Sequence, residues 1–424
     1  MSVHYGGRGP GHIARAQGNR TDWIFTSGGL DGRITFTRAS SGTYFDSAGV
    51  MQTATTDVPR FNYEYNGTSW VAKGLLVEPT ATNLLLRSRE FDNASWTKVD
   101  TTITANAANG VDGAATMDLC TEGSAGTSFV RQTVTIVANS TNTFAIDLKR
   151  GNTDWYRLIM YEGVGTNYVQ AWFNLATGAV GSVQNGGTGT GAAASIRNLG
   201  NGIYRCIVTG AVNNSATSII CTPISASADG SNTRVANATR YQDRAQLESG
   251  SVATSFIETT AATATRAADV ASVTGSNFSS WFNPVEGTFV VEMDSVAPAN
   301  TTLYYLLSVQ NLTATERLYA FEYNGAWGAT ALTASATQFD LKPPGSYSPG
   351  VAAKIAFGYK TNDFAVSVNG SSPLTDLSGS VPVPDRLFIG SVSGSSSFLN
   401  GHIRRFTYYP TRLSDAQLAT LSTL

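Results

Sequence analysis

The sequence predicts an all-β protein in which two antiparallel β-sandwich (jelly-roll) domains follow a small N-terminal β-hairpin segment. Many short runs have period-2 alternation or a β-branched and aromatic bias, and each ends in Gly, Asn, Asp or Ser, which is typical of strands. No window of about 12 residues combines a helical period with a start cap, apart from the C-terminus. Charged residues make up 14% of the 424 residues and there are 42 glycines, a composition that favours a folded, turn-rich chain.

The first predicted unit spans residues 1–85 and opens with a basic arm. Arg8, Arg15 and Arg20 lie in a glycine-rich stretch that has no acid before Asp22. Because this stretch lacks an apolar period, we expect an extended arm that docks on an acidic partner, with an untethered terminus as the alternative.

The rest of the first unit contains short hairpins. The runs 34–36 and 43–45 alternate like strands, and the stretches DSAG and NGTSW between such runs carry turn residues. These hairpins are too few to close a large core alone. We therefore expect this unit to pack on a neighbouring domain or on another subunit.

The second predicted unit spans residues 86–266 and contains many short strands without helices. In the run 168–175, Val169, Ala171 and Phe173 alternate with a second set that includes Trp172, which predicts a half-buried strand of an antiparallel sheet. Repeated strands of this kind favour a sandwich or jelly roll. The small-residue-rich stretch 255–275 has no apolar face and is predicted to be a linker that few contacts cross.

The third predicted unit spans residues 267–424 and repeats the strand pattern. Pro410 ends the last strand because proline cannot donate to a strand ladder. Ser414 then stands three residues before Gln417, which is a capping-box arrangement. The sequence predicts one short helix here, with Leu418 on its apolar edge, that closes the open end of the sandwich.

This ending resembles the last strand of concanavalin A-like (laminin-G-like) jelly rolls, which has the pattern Gly-x-Ile-x-x-Phe-x-x-Tyr. The matching residues are Gly401, Ile403, Phe406 and Tyr409. The resemblance covers residues 275–424 and implies a concanavalin A-like domain there.

Three further stretches resemble modules of tailed-bacteriophage virion proteins. They are residues 36–61, 74–98 and 245–270. In that family, a carbohydrate-binding-module-like jelly roll precedes the laminin-G-like one, and the run with Phe91 and Trp96 resembles the first strand of such a module.

The resemblance implies a non-enzymatic structural protein of the virion, in a fibre, tail or head-decoration position. Its expected partners are other virion proteins and two further copies of itself in a homotrimer, with host surface glycans as a further ligand. Arg8, Arg15 and Arg20 are the candidate anchoring residues of its N-terminus. The sequence does not say whether the location is head or tail.

No catalytic residue is predicted. The chain has three histidines and no G-x-S-x-G or H-E-x-x-H motif. Some laminin-G-like proteins are glycosidases that carry a Glu-x-Asp-x-x-Glu signature, but Glu292 and Asp294 are followed by Ala297 at the second glutamate position. The missing acid argues against hydrolysis. A glycan-degrading tail enzyme is the alternative function, and a pair of carboxylates at the right separation on one sandwich face would favour it.

Aromatic residues are the candidate sugar contacts, because an exposed ring stacks on the apolar face of a pyranose. The candidates are Trp155, Tyr156 and Trp172 in the second unit and Trp327 in the third. Trp155 and Tyr156 are expected on opposite faces of one strand, and Trp172 on an exposed face. Trp70 and Trp327 are expected at hairpin tips. For each ring, packing in a core or an interface is the alternative.

The composition predicts no metal, no cofactor and no affinity for nucleic acid or membranes. The net charge is −2, no apolar stretch is long enough to span a bilayer, and no acidic loop has metal-ligand spacing. The N-terminus has no apolar run of the kind found in signal peptides, so we expect cytosolic synthesis, three free cysteines and a final location in the virion.

Overall fold

The computed structural model describes residues 20–124, 127–163, 166–212, 215, 217–300, 302–343 and 347–424. The predicted anchors Arg8 and Arg15 lie outside these residues. The fold is almost entirely antiparallel β, which confirms the predicted class. Within the described ranges, no helix is long and apolar enough to cross a membrane.

The elements are as follows in chain order. The first part of the chain forms β1 (Thr21–Ile24), a short 3-10 helix (Phe25–Ser27), β2 (Thr35–Thr37), β3 (Gly42–Phe45), β4 (Met51–Ala54), β5 (Phe61–Tyr65), β6 (Trp70–Val77) and β7 (Ala81–Asn83). The middle part forms β8 (Thr97–Val99), β9 (Thr101–Asn109), β10 (Ala115–Glu122), β11 (Phe129–Thr135), β12 (Asn142–Arg150), β13 (Trp155–Tyr161), β14 (Tyr168–Asn174), β15 (Ala179–Gly186), β16 (Thr190–Asn198), β17 (Ile203–Ala211), β18 (Ser218–Ala226) and β19 (Thr239–Ser249). The last part forms β20 (Ala264–Arg266), β21 (Val270–Thr274), α1 (Ser276–Ser279), β22 (Glu286–Ser295), β23 (Tyr304–Gln310), β24 (Arg317–Tyr323), β25 (Ala326–Thr333), β26 (Ala336–Leu341), β27 (Ala353–Lys360), β28 (Phe364–Val368), β29 (Leu374–Asp376), β30 (Arg386–Ile389), β31 (Gly401–Tyr409) and α2 (Asp415–Leu421).

The larger sandwich combines both ends of the chain. Its eight-stranded sheet has the order β29-β28-β27-β22-β31-β6-β5, with β1 also paired to β31, and its seven-stranded sheet has the order β2-β21-β30-β23-β24-β25-β26. Its core contains Trp23, Phe36 and Leu75 together with Phe289 and Phe357. The N-terminal strands therefore pack on a neighbour, as expected: β1, β2, β5 and β6 complete the two sheets of the C-terminal sandwich, and β3 and β4 form a two-stranded sheet of their own.

The middle sandwich is inserted into the larger one. Its two six-stranded sheets have the orders β16-β17-β12-β19-β10-β9 and β15-β14-β13-β18-β11-β8. The incoming strand β7 pairs with the outgoing strand β20, so the chain leaves the larger sandwich and returns to it side by side. Phe91 and Trp96 lie in the middle core with ring centroids 4.7 Å apart, but they sit in turns and not in the first strand that the sequence predicted.

The stretch predicted to be a linker is a buried part of the fold. Residues 255–275 include β20 and β21, and both Arg266 and Asp269 are buried. The prediction of few contacts was wrong because the absence of an apolar period does not exclude a buried polar network.

That network, here called the ionic junction, joins five buried side chains at the point where the two sandwiches meet. Arg38 lies 3.0 Å from Asp269, Arg60 lies 2.7 Å from Glu78 and also pairs with Asp269, and Arg266 lies 3.4 Å from Glu78. Burial would raise the pKa of Glu78, but the positive charges of Arg266 and Arg60 hold that pKa well below its ordinary value. Each of the three virion-like stretches contributes at least one member of the junction.

The C-terminal helix has the predicted cap, but it does not lie where the sequence predicted. The Ser414 backbone N–H donates to Gln417 Oε1 at 2.9 Å, and the Gln417 backbone N–H donates to Ser414 Oγ at 3.4 Å, which completes the capping box. Leu418 packs with Val290 and Ala356 on the outer side of the eight-stranded sheet. The helix thus covers a sheet face, and the prediction that it closes the open end was wrong.

We expect Asp269→Asn to lower the free energy of unfolding by about 3–5 kcal/mol, because it leaves buried guanidinium groups without their shared carboxylate. Denaturant unfolding of the full chain measures this loss. Asp385→Asn is the control, since Asp385 is exposed and pairs with Arg386 at 2.6 Å; its effect should stay within about 1 kcal/mol. Equal effects of the two variants would contradict the structural role of the junction.

Candidate functional site

The side chains of strand β13 alternate between the core of the middle sandwich and the opposite side of the sheet. Tyr156 points into the core, whereas Trp155, Arg157 and Tyr161 point away from it and are partly exposed. This confirms that Trp155 and Tyr156 lie on opposite faces. Tyr156 is fully buried and cannot contact a sugar, which corrects its candidate role. Of the two neighbouring rings, Tyr156 is the one that packs in the core.

Trp172 lies on the same side of this sheet as Trp155 and Arg157, away from the core, but it is fully buried. Its indole N–H donates to the Ser231 carbonyl at 2.7 Å, and the Arg157 guanidinium lies 5.9 Å from its ring centroid. The segment 227–234 therefore covers this ring. The predicted exposure of Trp172 was wrong because strand alternation gives the face of a side chain and not what folds over it.

Three arginines, Arg131, Arg157 and Arg234, form together with Trp155 and Tyr161 the surface called here the outer face, and of the three Arg157 lies over the Trp172 ring. Arg131 donates to the Tyr161 hydroxyl at 2.8 Å, and Arg157 donates to Gln170 at 3.2 Å. Arg234 leaves its Nη1 buried without a partner among the described residues.

Acids lie near the outer face but, within the described ranges, form no ion pair with its arginines: the charge of Glu122 partly offsets the lowering of the pKa of Arg157 and Arg234, and the Asp229 carboxylate lies beside the Trp155 ring. Burial, followed by the like charge of Arg234, lowers the pKa of Arg157 to about 10, and burial also lowers the pKa of Arg234. In the described part of the chain, no ion pair joins Arg131, Arg157 or Arg234 to a carboxylate. The outer face can therefore attract an anionic group.

A cleft of about 620 Å³ lies between the two sandwiches. One wall comes from the larger sandwich and includes Tyr63, Tyr65 and Trp70; the other comes from the middle sandwich and includes residues 193–199. Trp70 stacks on Phe45 with ring centroids 5.1 Å apart. The cleft has the size and the mixed aromatic and polar lining of ligand sites.

The floor of the cleft is a buried polar network. Asn62 Nδ2 lies 3.0 Å from His402 Nε2, and His402 Nδ1–H donates to Asp294 at 2.7 Å. Lys73 lies 2.8 Å from Asp294 and 3.0 Å from Glu64. Burial would raise the pKa of Asp294, but His402 and Lys73 lower it to about 2. Both ring nitrogens of His402 are occupied by neutral or acidic side chains that are not nucleophiles.

Two charged residues face the cleft from opposite walls. Glu64 belongs to β5 and Arg197 to β16. Burial would raise the pKa of Glu64, but the charges of His402, Arg197 and Lys73 outweigh it and lower this pKa. The Arg197 side chain has no ion pair within 4 Å among the residues that the structure describes, so its guanidinium donors are open to a ligand.

Trp327 is not available for sugar contact, which corrects the fourth candidate. It is 1% exposed and packs edge-on against Tyr347 with centroids 5.0 Å apart. It pairs across β24 and β25 with Glu322, a buried carboxylate whose Oε1 accepts from the Gly325 N–H at 2.8 Å. Burial raises the pKa of Glu322 to about 7.

The other described residues considered as anchors or as catalytic acids form ion pairs at the protein surface. Arg20 is exposed and pairs with Asp22 at 3.2 Å, and Asp22 also accepts from Arg405 at 2.8 Å. Glu292 pairs with Arg404 at 3.1 Å. A search of the described ranges finds no group of three or more His, Cys, Asp or Glu that could hold a metal ion, and Cys120, Cys206 and Cys221 are free and buried.

Comparison with known proteins finds only weak structural likeness. No protein-family model matches the chain, and no curated protein matches it. Similar solved structures include the CBM40 domain of the Ruminococcus gnavus IT-sialidase bound to α2,3-sialyllactose (18% identity, TM-score 0.30, 34% of this chain and 87% of that chain). They also include the leech intramolecular trans-sialidase (17%, 0.28, 34% and 24%) and a heptameric SAP-like pentraxin from Limulus polyphemus (14%, 0.25, 32% and 70%).

The sequence reasoning missed the cleft. Its walls are formed by residues near 45–70 and 193–199, which come together only because the middle sandwich is inserted between β6 and β21. The one sequence signal was Trp70 beside a predicted turn. The two charged residues that face each other across the cleft, Glu64 and Arg197, belong to no local motif.

We expect Glu322→Gln to flatten the pH dependence of stability. The pKa of Glu322 rises from 4.5 to about 7 on folding, so the folded chain holds this proton more tightly and loses stability as the pH rises between these values. At pH 8 the variant should be more stable than the wild type, by on the order of 2 kcal/mol, with little difference at pH 4. Denaturant midpoints across this range test it; parallel curves for the two proteins would contradict it.

Proposed function

We propose that this chain is a non-enzymatic structural protein of a tailed-phage virion, anchored by its N-terminus, that projects its sandwiches as a homotrimer and binds acidic host glycans. The three virion-like stretches support the structural role, because they carry the residues of the ionic junction on which the fold is built. The fibre, tail and head-decoration positions are all compatible with a rigid projecting β-protein.

The observation that carries the glycan-binding part is that the three arginines of the outer face form no ion pair with any carboxylate among the described residues. Arg131, Arg157 and Arg234 lie beside the half-buried rings of Trp155 and Tyr161. A guanidinium binds a carboxylate through two parallel N–H bonds, and an aromatic ring packs on the apolar side of a sugar. A glycan that carries a uronic or sialic acid offers both groups.

The carboxylates support binding without hydrolysis. Glycoside hydrolysis uses a pair of carboxyl groups, one as acid and one as base or nucleophile. Glu292 is paired with Arg404, and Asp294 is buried and paired with His402 and Lys73. Neither is free to act on a glycan. Release of reducing sugar from host polysaccharide by the purified chain would favour the alternative, a glycan-degrading tail enzyme.

We expect Arg157→Gln to weaken binding of acidic glycans at least tenfold on an array probed with the full chain, because it removes the central charge of the outer face. Arg150→Gln is the matched control, since Arg150 ends β12 in the other sheet of the middle sandwich, is exposed and pairs with Asp154. An array on which no acidic glycan binds, or on which Arg157→Gln binds like the wild type, would count against the glycan-binding role.

The virion role predicts that the chain copurifies with phage particles. Negative-stain images of particles labelled with antibody to this chain should show label at one repeated projecting position, and light scattering of the isolated protein should give three times the chain mass. A monomer that never accompanies particles would contradict this part of the proposal without bearing on the glycan array.

A further inference from the structure

We propose that the cleft between the two sandwiches is a second carbohydrate site, one that takes an uncharged oligosaccharide. It differs from the outer face in its position, in its charge and in being built by both sandwiches together. The inference therefore goes beyond the proposed function and does not depend on it.

The aromatic wall supplies the apolar part of the site. Phe45, Tyr65 and Trp70 form one cluster, with the Tyr65 and Trp70 centroids 5.6 Å apart, and Tyr63 lies on the same wall. All four rings are partly exposed. Such rings contact the C–H face of a pyranose while their hydroxyl and indole N–H groups remain able to bond to sugar hydroxyls.

The polar groups of the cleft select an uncharged ligand. Arg197 supplies donors from one wall and Glu64 supplies acceptors from the other, and their charges cancel. A hydroxyl group both donates and accepts, so neighbouring sugar hydroxyls can satisfy the two residues at once. An anionic ligand would instead meet Glu64, and a cationic ligand would meet Arg197. Asn198 and Ser195 add neutral partners on the wall that carries Arg197.

The walls are fixed before any ligand binds. Thr43 donates to the Phe256 carbonyl at 2.7 Å, and the Met51 N–H donates to the Val111 carbonyl at 2.9 Å, so the β3–β4 hairpin is bonded to the middle sandwich. The Lys73 Nζ atom lies 3.0 Å from Glu64 Oε2 at the floor of the cleft, and this ion pair fixes the position of the Glu64 carboxylate. A site ordered in advance loses little entropy on binding, which suits a weak-binding class of ligand such as a sugar.

The volume fits this occupant. About 620 Å³ lies within the range of pockets that bind small molecules, and it is open enough to admit a short chain of sugars. The cleft contains charged groups at both walls, so it is not an apolar groove for a helix or a hydrophobic peptide.

The test uses the full chain on an array of neutral tri- to hexasaccharides built from glucose, galactose, mannose and N-acetylglucosamine, followed by calorimetry with the strongest binder. We expect Arg197→Gln and Glu64→Gln each to weaken that binding at least tenfold. Arg197 has no ion pair in the described part of the chain, so its replacement should leave the thermal unfolding midpoint unchanged. Arg150→Gln should bind like the wild type, since Arg150 is exposed and pairs with Asp154.

An array on which no neutral saccharide binds would overturn the inference. So would unchanged affinity in either cleft variant. Because Arg157→Gln reports on acidic glycans and the cleft variants report on neutral ones, failure of this site is distinguishable from failure of the proposed function.

Discussion

Three guanidinium groups and two carboxylates, buried together, fix how the parts of this chain are arranged. Arg38, Arg60 and Arg266 surround Glu78 and Asp269, all at the ends of strands. Backbone carbonyls of residues 54, 55 and 79 accept further hydrogen bonds from these arginines. A buried ion pair contributes little net stability compared with apolar packing, but leaving one partner alone is costly. Any other way of joining these strands would leave a buried charge without its partner, so the junction favours this arrangement over the alternatives.

The nested topology follows from that constraint. Strands from residues 21–77 complete the two sheets of the C-terminal sandwich, and the middle sandwich leaves and rejoins it through the paired strands β7 and β20. The two sandwiches are thus held side by side, and a cleft lined by both of them is the result. A chain of three consecutive units would present the outer face but would not form the cleft.

Local features of the structure could be predicted from the sequence, and long-range features could not. The all-β class, the capping box at Ser414 and the opposite faces of Trp155 and Tyr156 depend on neighbouring residues only. The burial of Trp172 depends on a segment some 60 residues away, and that of Trp327 on Tyr347. Strand pairing such as β1 with β31 spans nearly the whole chain. No periodicity within one window contains that information.

The proposed cleft site requires the larger sandwich to include the N-terminal strands as an integral part, which is the central claim. Native-state hydrogen exchange of the full chain tests it most directly, because strands of one cooperative unit open together. We predict that backbone amides of β5 and β6 exchange at the same slow rate as those of β22 and β31. Exchange of residues 61–77 as a separate, faster unit, while β22 and β31 stay protected, would contradict the account.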